Sequence, residues 1–125
     1  MGAKFLMDTN AIIDYQSGVL TKDGLQFISK IIDNEFLVSF ISYIEFLGFK
    51  NATKQMEDFI SLATIIDMNP DIVKQTIELR RNYKIKLPDA IIAATALVYN
   101  QTLISRNTSD FQDIENLKVV NPYQI

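Results

Sequence analysis

The chain of 125 residues contains no cysteine and no histidine. Without cysteine, disulfides and thiolate metal sites are excluded, which is compatible with a reducing compartment. Without histidine, serine-type triads, imidazole acid–base pairs and the usual zinc sites are excluded together. Any catalytic chemistry must therefore come from carboxylates, hydroxyls, amides or amines.

Long apolar runs and an excess of positive charge are also absent. No segment approaches the roughly 20 apolar residues that a membrane-spanning helix needs, and Asp8 interrupts the apolar start too early for a signal peptide. We therefore expect a cytoplasmic protein with no membrane partner. The net charge of −3 excludes a uniformly basic nucleic-acid-binding surface but leaves room for a local basic patch.

The order of the apolar segments predicts an α/β fold. At this length, residues 1–125 are predicted to form a single domain, and the 48% of apolar residues is typical of a globular fold. Short β-rich segments alternate with helical ones, which favours a three-layer sandwich with a mostly parallel central sheet and helices on both faces. The predicted strands are residues 5–8, 36–40, 64–66, 102–104 and 118–120.

Capping residues predict where the helices begin. Asn10 is the predicted N-cap of the first helix, with Asp14 in or near its first turn, and Thr21 is the predicted N-cap of the second. The third helix is expected over residues 42–50. Residues 87–99 form the most apolar helix, which is hydrophobic nearly all round and should be buried.

Four carboxylates occupy places where a free charge is unfavourable. Asp8 ends the first predicted strand, and Glu45 lies in an otherwise apolar segment. Asp89 opens the most apolar helix, and Asp110 follows the fourth strand. Each also has a local explanation as a helix cap or a first-turn charge. Glu45, for example, stands three residues after Ser42, which is the spacing of a capping box.

These four acids are expected to converge, because strand ends and the starts of the following helices lie along one edge of a doubly wound sheet. Converging carboxylates repel one another and take up protons unless a cation compensates them. Mg²⁺ and Mn²⁺ prefer carboxylate and water oxygens. A site of this composition therefore favours one of these ions, which can activate water and neutralise charge on a phosphoryl oxygen.

The four acids lie in segments whose order and spacing are typical of one protein family. The segments are Met7-Asp8-Thr9-Asn10, Ser42-Tyr43-Ile44-Glu45-Phe46-Leu47, Leu87-Pro88-Asp89-Ala90-Ile91-Ile92-Ala93-Ala94-Thr95-Ala96 and Leu103-Ile104-Ser105-Arg106-Asn107-Thr108-Ser109-Asp110-Phe111. In these segments the chain resembles PIN-domain ribonucleases of the VapC toxin type, and the resemblance covers nearly the whole chain. Ser105 stands where the family usually has threonine, so the hydroxyl is kept.

The resemblance implies a PIN-like fold and a Mg²⁺- or Mn²⁺-dependent RNA endonuclease. Asp8, Glu45, Asp89 and Asp110 match the acidic quartet of the family. Asp8 and Asp89 are the implied direct metal ligands, and the other two would complete the shell, orient metal waters or hold a second ion. The implied mechanism is in-line attack of metal-activated water on phosphorus, leaving a 5′-phosphate and a 3′-hydroxyl.

The resemblance also implies supporting residues and partners. Thr9, Ser105 and Asn107 match polar positions that support the metal site. Proteins of this type usually form homodimers and are held inactive by a cognate antitoxin encoded beside them. Such an antitoxin and an RNA substrate are therefore the expected partners.

Basic residues near the acidic positions are candidate RNA contacts. Arg106 lies within the fourth segment and is the better candidate. A second group precedes Asp89 and would attract phosphates, or alternatively would form a solvated helix end that complements the helix dipole. This group consists of Arg80, Arg81, Lys84 and Lys86.

Two other functions remain to be distinguished from a ribonuclease. Haloacid-dehalogenase-like phosphatases also begin with an Asp that ends the first strand, but they need a second Asp where this chain has Asn10, and no suitably placed lysine motif is evident. A catalytically silent PIN scaffold that binds RNA or protein would be indicated by the loss of one acid, whereas all four are present. No side-chain pattern identifies which RNA would be cut.

Overall fold

The structure is a computed structural model that describes residues 4–125. The strands are β1 (Phe5–Met7), β2 (Leu37–Ser39), β3 (Thr64–Ile66), β4 (Thr102–Ile104) and β5 (Val119–Val120). The helices are α1 (Thr9–Ser17), α2 (Lys22–Asn34), α3 (Phe40–Leu47), α4 (Lys54–Ile60), α5 (Pro70–Asn82), α6 (Leu87–Val98) and α7 (Thr108–Phe111), and a 3₁₀ turn at Pro122–Gln124 follows β5. The strands form one sheet in the order β3-β2-β1-β4-β5, and every pairing in it is parallel.

Alternating side chains of the strands divide the core into two apolar layers. In β1, Leu6 packs with α5 and α6, whereas Met7 packs with α1 to α4. Leu103 and Ile104 of β4 alternate in the same way, and all four side chains are fully buried. Parallel sheets are stable when both faces are covered. The predicted α/β fold with a three-layer sandwich is therefore confirmed.

Helix α6 is the most buried helix of the fold, as its composition predicts. Every residue from Ala90 to Ala96 is buried, and the helix packs against α5 and against the sheet. Its small alanine side chains let the backbone approach its neighbours closely. No helix in residues 4–125 has the combination of length and apolar character needed to cross a membrane.

The start of α1 differs from the prediction. Asp8 is the N-cap, which confirms the alternative explanation of this residue as a helix cap and not the prediction at Asn10, and its carboxylate accepts a hydrogen bond from the Thr9 backbone N–H. Asp14 therefore lies beyond the first turn, where the helix dipole has little effect. The prediction at Thr21 is confirmed, since its hydroxyl accepts from the Gly24 backbone N–H.

The start of α3 also differs from the prediction. The helix begins at Phe40 with Ser39 as its N-cap, so Ser42 lies inside the helix with its hydroxyl buried. The predicted capping box between Ser42 and Glu45 is therefore wrong. In both α1 and α3 the helix follows its strand without a loop, and the cap comes from the residue at the end of that strand.

The chain connections reverse direction beside β1. From β1 the chain continues to β2 and β3 on one side, and from β4 it continues to β5 on the other. Met7 pairs with Ile104, so the residues that follow them, Asp8 and Ser105, emerge side by side at the carboxyl edge. Open α/β sheets form their ligand-binding crevices at such a point.

Candidate active site

Asp8 is held rigidly at the carboxyl end of β1. The residue is 4% exposed. Its Oδ1 accepts from the Thr9 backbone N–H at 2.8 Å, and its Oδ2 accepts from Ser105 Oγ at 2.8 Å and from Asn10 Nδ2 at 3.1 Å. The carboxylate is thus a helix cap and a fixed group of the site at once, because each oxygen has its own donors.

Burial and neighbouring charges raise the pKa of Asp8. Its pKa rises from the ordinary value of 3.8 to about 6, and burial is the largest cause. The hydrogen bonds from Ser105 and Thr9 lower the pKa, whereas the charges of Asp89 and Glu45 raise it further. A cation at this site would favour the ionised carboxylate, because it would offset both burial and repulsion.

Asp89 is half-buried in the first turn of α6 and lies within the same electrostatic field. Burial raises its pKa, and the charges of Asp110 and Glu45 raise it further, while Lys86 lowers it. The charges of Asp89, Glu45 and Asp110 thus each raise the pKa of another of the four acids. The fold brings all four to one region of the sheet edge, with Glu45 and Asp110 exposed.

Glu45 is linked to α1 through Thr9. The Thr9 hydroxyl donates to Glu45 Oε1 at 2.7 Å and so joins the start of α1 to α3. Thr9 therefore serves both acids that it neighbours: its backbone N–H binds Asp8 and its hydroxyl binds Glu45.

Ser105 connects the loop after β4 to Asp8. It is fully buried, and its hydroxyl accepts from the Asn107 backbone N–H at 3.1 Å and from Asn10 Nδ2 at 3.2 Å while donating to Asp8. The contribution of Asn107 to this cluster comes from its backbone, and its side chain forms no capping bond to α7.

The donor set suits a hard divalent cation. Within residues 4–125, no three acidic side chains lie close enough together to form a ready-made metal site. The four acids nevertheless offer only carboxylate oxygens, the ligands that Mg²⁺ and Mn²⁺ prefer. Burial is the first cause that raises the pKa values of Asp8 and Asp89, and the neighbouring carboxylates raise them further, so a bound cation would offset both effects.

Comparison with known proteins identifies the family. A family model of the PIN domain matches residues 5–117. The chain belongs to the PIN domain family. A curated relative, Ribonuclease VapC1 of Rickettsia felis, is 30% identical over an alignment of 135 positions, which covers 92% of this chain and 93% of the relative.

Solved structures share the fold of this PIN domain. A toxin–antitoxin complex from Klebsiella pneumoniae contains a chain that is 34% identical, with a TM-score of 0.75 and coverage of 99% of this chain and 100% of that one. VapBC-1 from nontypeable Haemophilus influenzae is 26% identical with a TM-score of 0.76, covering 94% of this chain and 97% of that one. VapBC2 from Rickettsia felis, bound to a DNA fragment from the promoter, has a TM-score of 0.79 at 22% identity, covering 94% of this chain and 97% of that one.

The basic residues before Asp89 in this PIN domain do not act as one cluster. Arg80 Nη1 donates to the Ile85 carbonyl at 2.7 Å, which favours a structural role at the end of α5. Arg81 is exposed on the same helix. Lys84 and Lys86 instead line a cleft of about 320 Å³ whose wall also includes Asp89 and Asp110.

Arg106 is directed toward a buried carboxylate on α1. Its Nη1 lies 3.2 Å and 3.1 Å from the two carboxylate oxygens of Asp14, which is 4% exposed. The Tyr123 hydroxyl donates to the same carboxylate at 3.2 Å. Local sequence patterns do not predict these roles for Asp14 and Tyr123. One available signal was the position of Asp14 three residues after Ala11, which places both on the buried face of α1.

Proposed function

We propose that this PIN domain is a Mg²⁺- or Mn²⁺-dependent endoribonuclease and the toxin of a toxin–antitoxin pair. Family membership and the 30% identity to Ribonuclease VapC1 support the ribonuclease activity. The 34% identity to a chain of a toxin–antitoxin complex supports the antitoxin partner. The observation that carries the proposal is the buried Asp8 carboxylate, which three hydrogen bonds fix at the β1/β4 edge and whose pKa is raised by burial and by the charges of Asp89 and Glu45.

In this proposal Asp8 and Asp89 hold the metal ion directly. Glu45 and Asp110 are exposed, so their side chains have room to turn toward a cation and complete its shell. A bound Mg²⁺ or Mn²⁺ ion would supply water activation and neutralise charge on a phosphoryl oxygen. Ser105 and the Asn107 backbone support Asp8, and Thr9 orients Glu45.

The cleft beside Asp89 and Asp110 is the proposed entrance for RNA. Lys84 and Lys86 line it and would attract the phosphate backbone, which a chain of net charge −3 otherwise repels. Contacts to phosphate position a nucleic acid without reading its sequence. These two lysines are therefore expected to strengthen the binding of any RNA that reaches the site.

Partner proteins are proposed to cover exposed apolar side chains. Ile44 on α3 is 55% exposed, and Ile77 on α5 is 47% exposed. Apolar surface of this kind is often covered by a protein partner. We propose that a second copy of this chain and the antitoxin cover such surface. We also propose that the protein acts in the cytoplasm.

A second candidate function is a catalytically silent PIN scaffold that binds RNA or protein. The absence of a ready three-acid site in residues 4–125 favours it. The two functions differ in one respect that can be measured, because only the nuclease breaks phosphodiester bonds.

The decisive experiment incubates a mixed RNA pool with the wild type and with Asp8→Asn, in Mg²⁺, in Mn²⁺ and in EDTA. We expect cleavage by the wild type with either metal, no cleavage in EDTA, and a loss of at least about 100-fold in Asp8→Asn, as for removal of one preorganised charge at an active site. Asp33→Asn is the matched control, because it removes an exposed carboxylate on α2 and should leave cleavage unchanged. Equal cleavage by Asp8→Asn and the wild type would refute the proposed site, and RNA binding without cleavage would support the scaffold.

A further inference from the structure

A cluster of three side chains joins three parts of the chain that are distant in sequence. Asp14 comes from α1, Arg106 from the loop between β4 and α7, and Tyr123 from the C-terminal 3₁₀ turn. Arg106 Nη1 contacts both carboxylate oxygens of Asp14, and the Tyr123 hydroxyl donates to one of them. A buried carboxylate left without a partner is strongly unfavourable, so Asp14 holds Arg106 firmly.

The same loop is joined to Asp8 through Asn10. The Arg106 backbone N–H donates to Asn10 Oδ1 at 3.1 Å. The other end of the Asn10 amide donates to Asp8 Oδ2 at 3.1 Å and to Ser105 Oγ at 3.2 Å. The Asn10 side chain therefore connects the Arg106 backbone to the carboxylate proposed to hold the metal.

The direction of the Arg106 side chain argues against its main role being RNA contact. The Arg106 side chain is 50% exposed, but its Nη1 points at Asp14, which is buried beneath it. A guanidinium bound in this way is already compensated by a carboxylate. Arg106 should therefore attract a phosphate less strongly than the lysines that line the cleft beside Asp89.

We propose that Arg106 is a positioning residue for Asp8. Asp14 and Tyr123 hold the Arg106 side chain, Arg106 holds the loop of residues 105–107 against α1, and the loop fixes Asp8 through Asn10 and Ser105. The consequence for RNA cleavage rests on the proposed function, whereas the positioning itself is a property of the protein without metal or RNA.

The kinetic experiment compares Arg106→Ala with Asp14→Asn. Asp14 is buried and has no route to RNA, so an RNA-contact role for Arg106 predicts a raised KM in Arg106→Ala only. Positioning predicts instead that both variants lower kcat by about tenfold or more, because small displacements of reacting groups are costly. It also predicts KM within about twofold of the wild type and a double variant no worse than either single one, since both changes break the same pair.

Lys54→Ala is the matched control for the loss of a cation. It removes one exposed positive charge and one ion pair, that of Lys54 with Asp58 on α4, and should leave kcat and KM unchanged. Arg106→Lys keeps the charge and should recover part of kcat. A raised KM confined to Arg106→Ala, with normal kcat in Asp14→Asn, would overturn the proposal.

The second readout is NMR of the Asn10 side-chain amide in the metal-free protein. We expect its Nδ2–H signals to shift and to exchange faster with solvent in Arg106→Ala and Asp14→Asn, and to stay unchanged in Lys54→Ala. Unchanged Asn10 signals in both variants would refute the positioning role. Shifted signals in a protein whose wild type cuts no RNA would refute the proposed function and leave the positioning role standing.

Tyr123→Phe tests the same idea in a variant that removes only one hydroxyl. It keeps the Asp14–Arg106 pair, so we expect a smaller shift of the Asn10 signals in the same direction. This variant decides the question if Asp14→Asn fails to fold, because unchanged Asn10 signals in Tyr123→Phe together with unchanged signals in Arg106→Ala would overturn the proposal.

Discussion

The replacement Asp8→Asn should stabilise the metal-free protein at high pH and not at low pH. The pKa of Asp8 is raised from 3.8 to about 6, so the folded state binds this proton more tightly than the unfolded state does. Stability is therefore lost as the pH rises from about 4 to about 6, and at pH 8 the ionised carboxylate costs about 3 kcal/mol, at 1.36 kcal/mol per pKa unit. At pH 4 most of that cost is absent.

Asparagine removes the charge at position 8 but also changes the hydrogen bonds. Its oxygen can still accept from the Thr9 backbone N–H, whereas its Nδ2 cannot accept from Asn10 and Ser105, so two hydrogen bonds are lost at about 1 kcal/mol each. The variant should therefore be about 1 kcal/mol more stable than the wild type at pH 8 and less stable than the wild type at pH 4.

Urea denaturation in EDTA at pH 4 and at pH 8 measures this difference directly. Asp33→Asn serves as the control, because Asp33 is exposed and its replacement should change the free energy of unfolding little at either pH. If Asp8→Asn changes the free energy of unfolding by the same amount at both pH values, the burial of an ionisable Asp8 is not the source of the effect and the reasoning fails.

Two further predictions concern single contacts, one between α2 and the C-terminal turn and one within the candidate site. Gly24→Ala should lower the thermal unfolding midpoint, because an added Cβ would lie 2.3 Å from the Pro122 carbonyl oxygen and force α2 away from the C-terminal turn. Such overpacking costs about 1–3 kcal/mol, and an unchanged midpoint would contradict the close packing. Thr9→Val should reduce RNA cleavage by about tenfold through the lost hydrogen bond to Glu45, with a change below about 1 kcal/mol in the free energy of unfolding. Full cleavage by Thr9→Val would remove Thr9 from the supporting residues.

Much of the fold could be predicted because it follows from local patterns. Consecutive apolar residues of a strand, such as Leu6 and Met7, point to opposite faces of the sheet, so both faces must be covered. The apolar composition of residues 87–98 likewise predicts a buried helix. An N-cap that lies in a loop, such as Thr21, can also be predicted from its immediate neighbours in the sequence. The sequence left the cap of α1 open between Asp8 and Asn10 and did not predict the start of α3. In both cases the strand leads directly into the helix, and sequence periodicity does not mark that boundary.

The sequence by itself determined the chemistry available to this protein: carboxylates without histidine or cysteine, four of them beside strand ends or helix starts. Only the tertiary structure decided which groups support them. Asn10 binds Ser105 across 95 positions of the chain, and Asp14 binds Tyr123 across 109. The order and register of the strands bring these partners together. Local sequence rules do not specify the direction of a side chain such as Arg106, because its partner depends on the packing of the whole domain.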